Sequence, residues 1–315
     1  MTGGSGFIGG RLVERLVGEG AAVRALARSQ ESAERVAALG AEPVRGDIGD
    51  RGSLAAAAEG CDTAFHLAAH VADFGPWEDF ERGNVEGTRN ALAACAEAGV
   101  RRFVHCGTEA ALMAGEPLVR VDETTPLRPD SPAPYPATKA KAELAVRDAS
   151  REGFETVVVR PRFVWGRGDT TLLPEIVRTV EAGQWAWIGG GRNVTDTAHV
   201  DNVAEAMLLA AEKGRPGEAY FVTDDEPVEF REFISAMLRT QGVEPPDRSL
   251  PAWSALPLAK LSEALWRLLP LKGDPPMTTF RAWVLTQECT IDIAKARTEL
   301  GYVPIVTREQ GLAEL

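Results

Sequence analysis

Short apolar runs alternate with longer amphipathic segments through the first half of the chain. Apolar runs bounded by polar or turn residues predict buried strands, and apolar residues three or four positions apart predict helices. The predicted strands are residues 22–27, 42–47, 63–68, 102–106 and 156–160. The predicted helices are one that begins near Ile8 and the segments 32–39, 84–98 and 137–150. Strands that alternate with helices imply right-handed crossovers, so the pattern predicts an α/β fold with a doubly wound parallel sheet.

The pattern changes beyond Gly166. Tryptophans, a run of three glycines and the proline-rich stretch 245–257 interrupt the alternation. Helical spacing returns at residues 203–213, 230–239 and 258–269. We therefore expect residues 1–165 to form the sheet domain and residues 166–315 to form mainly a smaller lobe, with some segments returning to the core. Doubly wound sheets bind ligands at the carboxyl ends of their strands, where this lobe would lie.

Composition and charge exclude several classes of function. The chain has 315 residues and a formal net charge of −12, which argues against binding to nucleic acid or to anionic membranes. Its four cysteines and four histidines are dispersed, so we expect reduced thiols and no metal site. No secretory signal and no membrane span are apparent, because Lys260, Glu263 and Arg267 interrupt the apolar stretch 256–271. These features predict a cytoplasmic protein.

A glycine-rich loop opens the chain, with Gly3, Gly6 and Gly9 at three-residue spacing just before and inside the first helix. Such glycines allow a tight turn, a close approach of the backbone to phosphate, and close packing of the helix on a strand. The N-terminus of the helix would then attract the pyrophosphate of a dinucleotide. On its own the motif also fits an ordinary turn into a helix.

The strand that normally precedes such a loop is not apparent in the sequence. A central strand of about 5–6 residues should lie upstream of Thr2, and without it the neighbouring strands have unpaired backbone groups. We therefore expect the start to be truncated or mis-assigned, with Met1 in place of the end of the lost strand. A version extended upstream by an apolar strand should be markedly more stable.

A tyrosine and a lysine four residues apart are the candidates for acid–base chemistry. Tyr135 and Lys139 fall on one face of a predicted helix. A phenol has a pKa near 10, and a neighbouring ammonium favours the phenolate and lowers that pKa. Tyr135 can then exchange a proton with an alcohol or carbonyl oxygen. The spacing alone is common on exposed helices, but together with the glycine loop it indicates a dinucleotide-dependent oxidoreductase.

These motifs are part of a resemblance that runs through almost the whole chain. The sequence resembles the extended short-chain dehydrogenase/reductase family, and within it the 3β-hydroxysteroid dehydrogenase-like and NAD-dependent epimerase/dehydratase branch. The segments that carry the resemblance are 2–9, 46–48, 66–69, 84–88, 135–139, 160–161 and 199–202, with 274–280 and 296–304 for the closer branch. The resemblance implies that residues 1–165 form a Rossmann-like dinucleotide-binding domain and that residues 166–315 mainly bind substrate.

The resemblance also implies roles for individual positions. Asp47 and Ile48 would flank the adenine, and Lys139 would hold the nicotinamide ribose as well as tune Tyr135. The other implied cofactor-binding residues are Gly3, Ser5, Gly6, Phe7, Ile8, Leu67, Ala68, Ala69, Pro161 and Val164. Asn84 matches the helix asparagine of the family, whose task is partly structural. Thr108 stands where the family has its catalytic serine, so its hydroxyl would orient the substrate oxygen although its methyl group crowds the pocket.

The choice of cofactor depends on the end of the predicted strand 22–27. An acidic residue there would bind the ribose 2′-hydroxyl of NAD, whereas an arginine accommodates the 2′-phosphate of NADP. The strand is followed by Arg28, and no carboxylate stands at its tip. The guanidinium fork suits phosphate, so we expect NADP(H), with NAD(H) as the alternative.

The reaction predicted is hydride transfer between nicotinamide and a secondary alcohol or ketone, on a hydrophobic substrate such as a sterol or a β-keto acyl compound. The candidate substrate contacts are Trp77, Thr108, Trp165 and Thr195. Nucleotide-sugar relatives often carry an arginine at the position of Thr195, which weakens that alternative but leaves a nucleotide-sugar epimerase or dehydratase open. A non-catalytic, NADP-sensing regulator is a further alternative. The expected partners are the small-molecule substrate and, as in many family members, a second copy in a homodimer.

Overall fold

The computed structural model describes residues 1–170, 172–269 and 271–315. The α-helices are α1 (Phe7–Gly18), α2 (Gln30–Ala38), α3 (Arg51–Ala58), α4 (Trp77–Phe80), α5 (Gly87–Glu97), α6 (Pro134–Asp148), α7 (Leu172–Glu181), α8 (Val200–Lys213), α9 (Phe230–Thr240), α10 (Ala255–Leu268), α11 (Thr279–Thr286) and α12 (Arg308–Ala313). The strands are β1 (Arg24–Ala27), β2 (Glu42–Arg45), β3 (Thr63–His66), β4 (Arg102–Cys106), β5 (Leu118–Val121), β6 (Glu155–Pro161), β7 (Val164–Trp165), β8 (Trp187–Ile188), β9 (Val194–Thr195), β10 (Ala198–His199), β11 (Ala219–Val222), β12 (Val228–Glu229), β13 (Ser249–Leu250) and β14 (Cys289–Ile291). Short 3₁₀ or π turns occupy Glu81–Glu86, Glu109–Leu112, Gly189–Gly191, Ala252–Ser254 and Ala296–Leu300.

A parallel sheet with the strand order β11-β6-β4-β3 forms the centre of the fold, and β1 and β2 form a second parallel pair beside it. The sheet is buried on both faces, as expected when crossover helices cover both sides. Adjacent residues of β4 show this: Phe103 and Val104 are both fully buried, but they belong to two different apolar clusters. Helices α1 and α8 pack together, whereas α3, α5 and α6 form the other layer. The predicted α/β, doubly wound fold is confirmed.

Met1 and Thr2 lie between β1 and β3 and connect the two parts of the sheet. The backbone N–H of Leu26 donates to the Met1 carbonyl at 2.8 Å, and that of Thr2 donates to the Phe65 carbonyl at 2.9 Å. A small open groove lies beside these two residues. Its walls are mostly apolar, with Leu26, Leu54, Phe65, Val100 and Phe103 among them. The expectation that an upstream strand would stabilise this region stays a prediction.

The later part of the chain contributes to both the central sheet and a separate lobe. Strand β11 pairs with β6, and α8 packs on β6 and β4, so both belong to the central layers. A second sheet has the order β12-β9-β14-β5 and includes β5 from the first half. Helix α10 packs on α11 at the outside of the lobe. The two halves thus exchange segments, and the division at residue 165 stays a prediction.

Within the described ranges, every helix is too short or too polar to cross a lipid bilayer.

Candidate functional site

The glycine loop holds a backbone that side chains would prevent. Gly3 has a φ of +74°, and a Cβ there would lie 2.7 Å from the Ala68 nitrogen. A Cβ at Gly9 would lie 2.0 Å from the Gly3 carbonyl oxygen. Both distances are far below van der Waals contact, so glycine is required for α1 to pack against the turn and against the segment after β3.

Replacing Gly9 by alanine is expected to open this loop. Because the methyl group overlaps the Gly3 carbonyl, overpacking should lower the free energy of unfolding by about 1–3 kcal/mol and weaken dinucleotide binding more than tenfold. Denaturant unfolding and a fluorescence titration with reduced nicotinamide dinucleotide measure the two effects. The control is Gly18→Ala on the same helix, where a Cβ meets no atom within 4 Å. Equal dinucleotide affinity in the two variants would contradict the prediction.

The N-terminus of α1 is open for an anion. The N-cap residue is Gly6, and no side chain caps this helix end. The first N–H groups of a helix carry partial positive charge and point outward along the axis. Ser5, Phe7 and Ile8 surround this end, so the loop has the geometry of a phosphate cradle. The residues present therefore fit the pyrophosphate of a dinucleotide.

Two other parts of the predicted cofactor site lie at the carboxyl ends of β1 and β2. Arg28 is exposed directly after β1. Asp47 follows β2 and accepts a hydrogen bond from the Gly49 N–H at 2.8 Å, which fixes its carboxylate in a tight turn. Ile48 packs against Gly87, where a Cβ would come within 2.6 Å of its side chain. These positions can border an adenosine.

A buried histidine that the sequence analysis did not single out connects the loop to α5. His66, at the end of β3, contacts the Thr2 hydroxyl at 2.8 Å and the Thr88 hydroxyl at 3.0 Å. Burial, together with the nearby Lys139 ammonium, lowers the pKa of His66 to about 3. The neutral ring thus holds Thr2 in place beneath Leu67, Ala68 and the loop. Only the tertiary contacts identify this role.

Tyr135 and Lys139 lie on the first turns of α6, beside the carboxyl end of β4. The helix begins at Pro134, a residue that suits a first turn because its missing N–H has no partner there. The Lys139 ammonium donates to the Cys106 carbonyl at 2.9 Å and is almost completely buried. Asn84 donates to the Thr138 hydroxyl at 3.1 Å and accepts from the His70 N–H. These contacts fix the helix against the sheet.

The pKa of Tyr135 is raised above its ordinary value, not lowered as the spacing with Lys139 predicts. Burial of the phenol is the main cause, and the negative charge of Glu109 adds to it. The interaction with the Thr108 hydroxyl acts in the opposite direction. Burial likewise lowers the pKa of Lys139. Tyr135 is therefore a neutral phenol at physiological pH, a form that can donate a proton.

Glu109 and Arg162 form a buried ion pair that the sequence analysis missed. The Thr108 hydroxyl donates to one Glu109 oxygen at 2.8 Å, and Arg162 donates to the other at 2.5 Å. The same guanidinium donates to the Thr195 hydroxyl at 3.2 Å. A hydroxyl has a single proton to donate, so Thr108 must turn away from Glu109 before it can donate to a substrate oxygen.

Two of the predicted substrate contacts lie in the core. Trp165 is fully buried, donates to Asp224 at 2.8 Å and packs edge-on against Phe233. Thr195 is also fully buried, on Arg162. Neither side chain is exposed in this structure, so a ligand would reach them only after the surrounding residues move, and their roles as substrate contacts stay predictions. An aromatic next to a glycine turn does not reveal from sequence that it faces inward. Trp77 is 39% exposed at the start of α4.

A small cleft opens beside the candidate catalytic residues. The Phe280 ring lies 5.6 Å from the Tyr135 ring, centroid to centroid, and Phe280 forms one wall of the cleft. The other walls include Asp73, Phe74, Pro132, Pro134, Glu263 and Arg267. Pro161 and Val164 end β6 and begin β7 at the carboxyl edge of the sheet. The arrangement brings a neutral phenol, a buried ammonium and apolar ring surface to this edge.

Comparison with known proteins agrees with this geometry. The sequence model of the 3-beta hydroxysteroid dehydrogenase/isomerase family matches residues 1–252. A 4-hydroxy-2-methyl-3-oxo-4-farnesyl-3,4-dihydroquinoline-1-oxide ketoreductase from Stigmatella aurantiaca is 46% identical over 315 residues, which cover 100% of this chain and 94% of the relative. A 2-alkyl-3-oxoalkanoate reductase from Stenotrophomonas maltophilia is 36% identical over 323 residues, with 100% and 97% coverage.

A solved structure shows the same fold with a dinucleotide present. It is a double mutant of DesIV, a dTDP-glucose 4,6-dehydratase from Streptomyces venezuelae, with NAD bound. The TM-score is 0.77 at 26% sequence identity, and the alignment covers 99% of this chain and 94% of the other.

Proposed function

We propose that this chain, which belongs to the 3-beta hydroxysteroid dehydrogenase/isomerase family, reduces a ketone on a hydrophobic substrate to the secondary alcohol. The chain is an oxidoreductase of the extended short-chain dehydrogenase/reductase class that acts on CH–OH groups. The observation that carries the proposal is the position of the Tyr135 phenol, which stands next to Thr108 and against the Phe280 wall of the cleft. The proposed direction follows the two relatives, which are named as a ketoreductase and a reductase. A reduced nicotinamide cofactor, when bound, supplies the hydride.

The residues of the site divide the remaining work. Tyr135 donates the proton that the carbonyl oxygen needs as it becomes an alcohol. Lys139, held by the Cys106 carbonyl, provides positive charge that stabilises the phenolate left behind. Thr108 orients the substrate oxygen once its hydroxyl leaves Glu109. One carbonyl, one hydride and one proton give one alcohol, so the atoms and electrons of the reaction balance.

An apolar keto compound with a ring or a long alkyl chain is the substrate class we propose. The Stigmatella relative is named for a farnesylated quinoline oxide and the Stenotrophomonas relative for a 2-alkyl-3-oxoalkanoate. Phe74 and Phe280 give the cleft apolar walls that suit such groups. The position where nucleotide-sugar enzymes would present an arginine to the ligand is the buried Thr195.

The test is a stoichiometric assay with a panel of ketones. We expect loss of reduced-cofactor absorbance with 2-alkyl-3-oxoacids or prenylated cyclic ketones, with one alcohol formed for each cofactor oxidised. Nucleotide sugars should give no net change in the cofactor. Epimerised or dehydrated sugar without cofactor consumption would overturn the proposal in favour of the epimerase or dehydratase alternative, and dinucleotide binding with no turnover of any kind would favour the regulator.

NADP(H) is the cofactor that we propose, on the basis of Arg28. Its side chain is exposed directly after β1, and a bidentate guanidinium can bind the 2′-phosphate. Arg28→Ala should weaken NADPH binding about tenfold or more, since a charge-assisted contact contributes roughly 1.5–3 kcal/mol, while NADH binding changes little. The matched control is Arg35→Ala, an exposed arginine of α2 that pairs with Glu31. A fluorescence titration with NADPH and with NADH measures the two affinities. An equal loss of affinity for both cofactors would contradict the assignment of Arg28 to the 2′-phosphate.

A further inference from the structure

Helix α10 carries an exposed stripe of leucines that no part of the described chain covers. Leu258, Leu261, Leu265 and Leu268 are 42%, 59%, 40% and 80% exposed. Their spacing of three, four and three residues places them on one side of the helix. A different side is buried against the protein through Ala255, Ala259 and Ser262. The stripe is therefore a separate, outward face and not the edge of the core.

Apolar side chains also continue the stripe at both ends of α10. Trp253, just before the helix, is 79% exposed. Leu269 and Leu271, just after it, are 49% and 43% exposed. Scattered surface leucines are ordinary, but a contiguous apolar patch of this length marks an interaction site. An exposed tryptophan beside leucines is typical of helices that lie in the interface of a bilayer.

The charges around the stripe have the opposite sign to the charge of the whole chain. Between residues 247 and 274 the basic residues are Arg248, Lys260, Arg267 and Lys272, and the acids are Asp247, Glu263 and Asp274. Glu263 is turned inward: its side chain is 14% exposed and accepts from the Thr279 N–H at 2.6 Å. The segment thus has four basic residues against three acids, one of them turned inward, in a chain whose net charge is −12.

The same helix forms a wall of the cleft. Glu263 and Arg267 line it together with Phe280, whose ring lies 5.6 Å from the Tyr135 ring, centroid to centroid. A partner that covers the leucine stripe therefore lies next to the entrance of the candidate active site. If that partner is itself apolar, an apolar substrate dissolved in it lies next to the entrance of the cleft.

We propose that α10 docks the protein on an anionic lipid bilayer, with the leucine stripe in the acyl–headgroup boundary and the basic residues against the headgroups. Apolar burial and attraction to anionic lipid act together in such docking. The whole-chain charge predicted no attraction to an anionic membrane, but this segment lacks the acidity of the rest of the chain and places Lys260 and Lys272 beside the apolar stripe. Entry of a lipophilic ketone from the bilayer into the cleft follows from this docking and rests on the proposed function.

Flotation with lipid vesicles tests the docking directly. The full chain should float with vesicles that contain phosphatidylglycerol, less with phosphatidylcholine alone, and less again at high salt. The double variant Leu261→Gln/Leu268→Gln keeps good helix formers and should bind at least tenfold more weakly. The matched control is Val303→Gln/Ile305→Gln, since these side chains are 67% and 49% exposed outside the segment. Flotation equal to that of the unmodified chain in the leucine variant would overturn the proposal.

Two further measurements complete the test. The variant Lys260→Glu/Lys272→Glu should lose the preference for phosphatidylglycerol, whereas Lys213→Glu, on exposed α8 surface, should keep it. Sedimentation of the unmodified chain without lipid should show no self-association that depends on the leucines. A dimer that the leucine variant abolishes would overturn the proposal and make the stripe an interface between two copies. Flotation measures membrane binding without turnover. The docking proposal can therefore be overturned while the proposed reduction stands, and the proposed reduction can be overturned while the docking stands.

Discussion

Tyr135→Phe is expected to lower kcat about 10³-fold while it leaves cofactor affinity within about twofold of the unmodified chain. General acid catalysis contributes roughly 10²–10⁴-fold, and Tyr135 is the proton donor that we propose for the carbonyl oxygen. The loss should appear in kcat and kcat/KM together, because the proton is transferred only in the transition state. Initial rates with a reducible ketone and a cofactor titration measure the two quantities.

The chain offers two matched controls, since its other tyrosines are Tyr220 and Tyr302. The Tyr302 hydroxyl donates to the Thr223 carbonyl at 2.9 Å in the core, and that of Tyr220 donates to Glu299 at 2.7 Å. The Tyr220 hydroxyl also accepts from the Arg215 N–H at 3.0 Å. Tyr302→Phe therefore loses one hydrogen bond and Tyr220→Phe two, each worth about 1 kcal/mol, and both variants should keep normal turnover in the folded protein. Turnover of Tyr135→Phe equal to that of these controls would remove Tyr135 from the mechanism.

The raised pKa of Tyr135 also fixes the sign of a pH effect. A phenol whose pKa lies above the ordinary value of about 10 stays protonated through neutral pH, so its ionisation should not limit reduction there. The reverse oxidation needs the phenolate and should accelerate as the pH rises. A reduction rate that falls tenfold per pH unit above neutrality would contradict this assignment.

The sequence predicted the central sheet well because its strands are short, apolar and separated by strongly periodic helices. Strand 102–106 agrees at both ends, and the helix predicted at 84–98 corresponds to a π turn followed by α5. Helix α3 was missed because RGSLAAAA has little contrast between its faces. Strand β11 was missed because four apolar residues after a glycine-containing turn do not show that they return to the sheet edge beside β6.

For the site, sequence spacing identified pairs on one helix but not pairs made by folding. Tyr135 and Lys139 are four residues apart, so helical geometry alone places them together. Glu109 and Arg162 are 53 residues apart and meet only because β4 and β6 are neighbours in the sheet. The direction of the Tyr135 pKa shift could not be predicted from the sequence either, because it depends on burial of the phenol and on the charge of Glu109.

Arg160→Met is expected to lower the free energy of unfolding by about 3–5 kcal/mol, the usual cost of leaving a buried charge without its partner. Arg160 and Glu143 are both fully buried, and the guanidinium Nε donates to the carboxylate oxygens at 3.0 Å. The pair joins β6 to α6, one turn beyond Lys139. Equilibrium unfolding in urea measures the change, and Arg35→Met, in an exposed pair with Glu31, should change it by no more than about 0.5 kcal/mol.

A double variant separates the value of the pair from the penalty of breaking it. Arg160→Met/Glu143→Leu removes both charges, so it should be clearly more stable than either single variant. The Arg160 guanidinium also lies 4.9 Å from the Phe221 ring, a contact that a methionine side chain can partly replace. If the double variant instead loses as much stability as the two single variants added together, the charges do not act as a pair. The negative charge of Glu143 raises the pKa of Lys139. A stable double variant with slower turnover would therefore show that Glu143 acts on the reaction through Lys139.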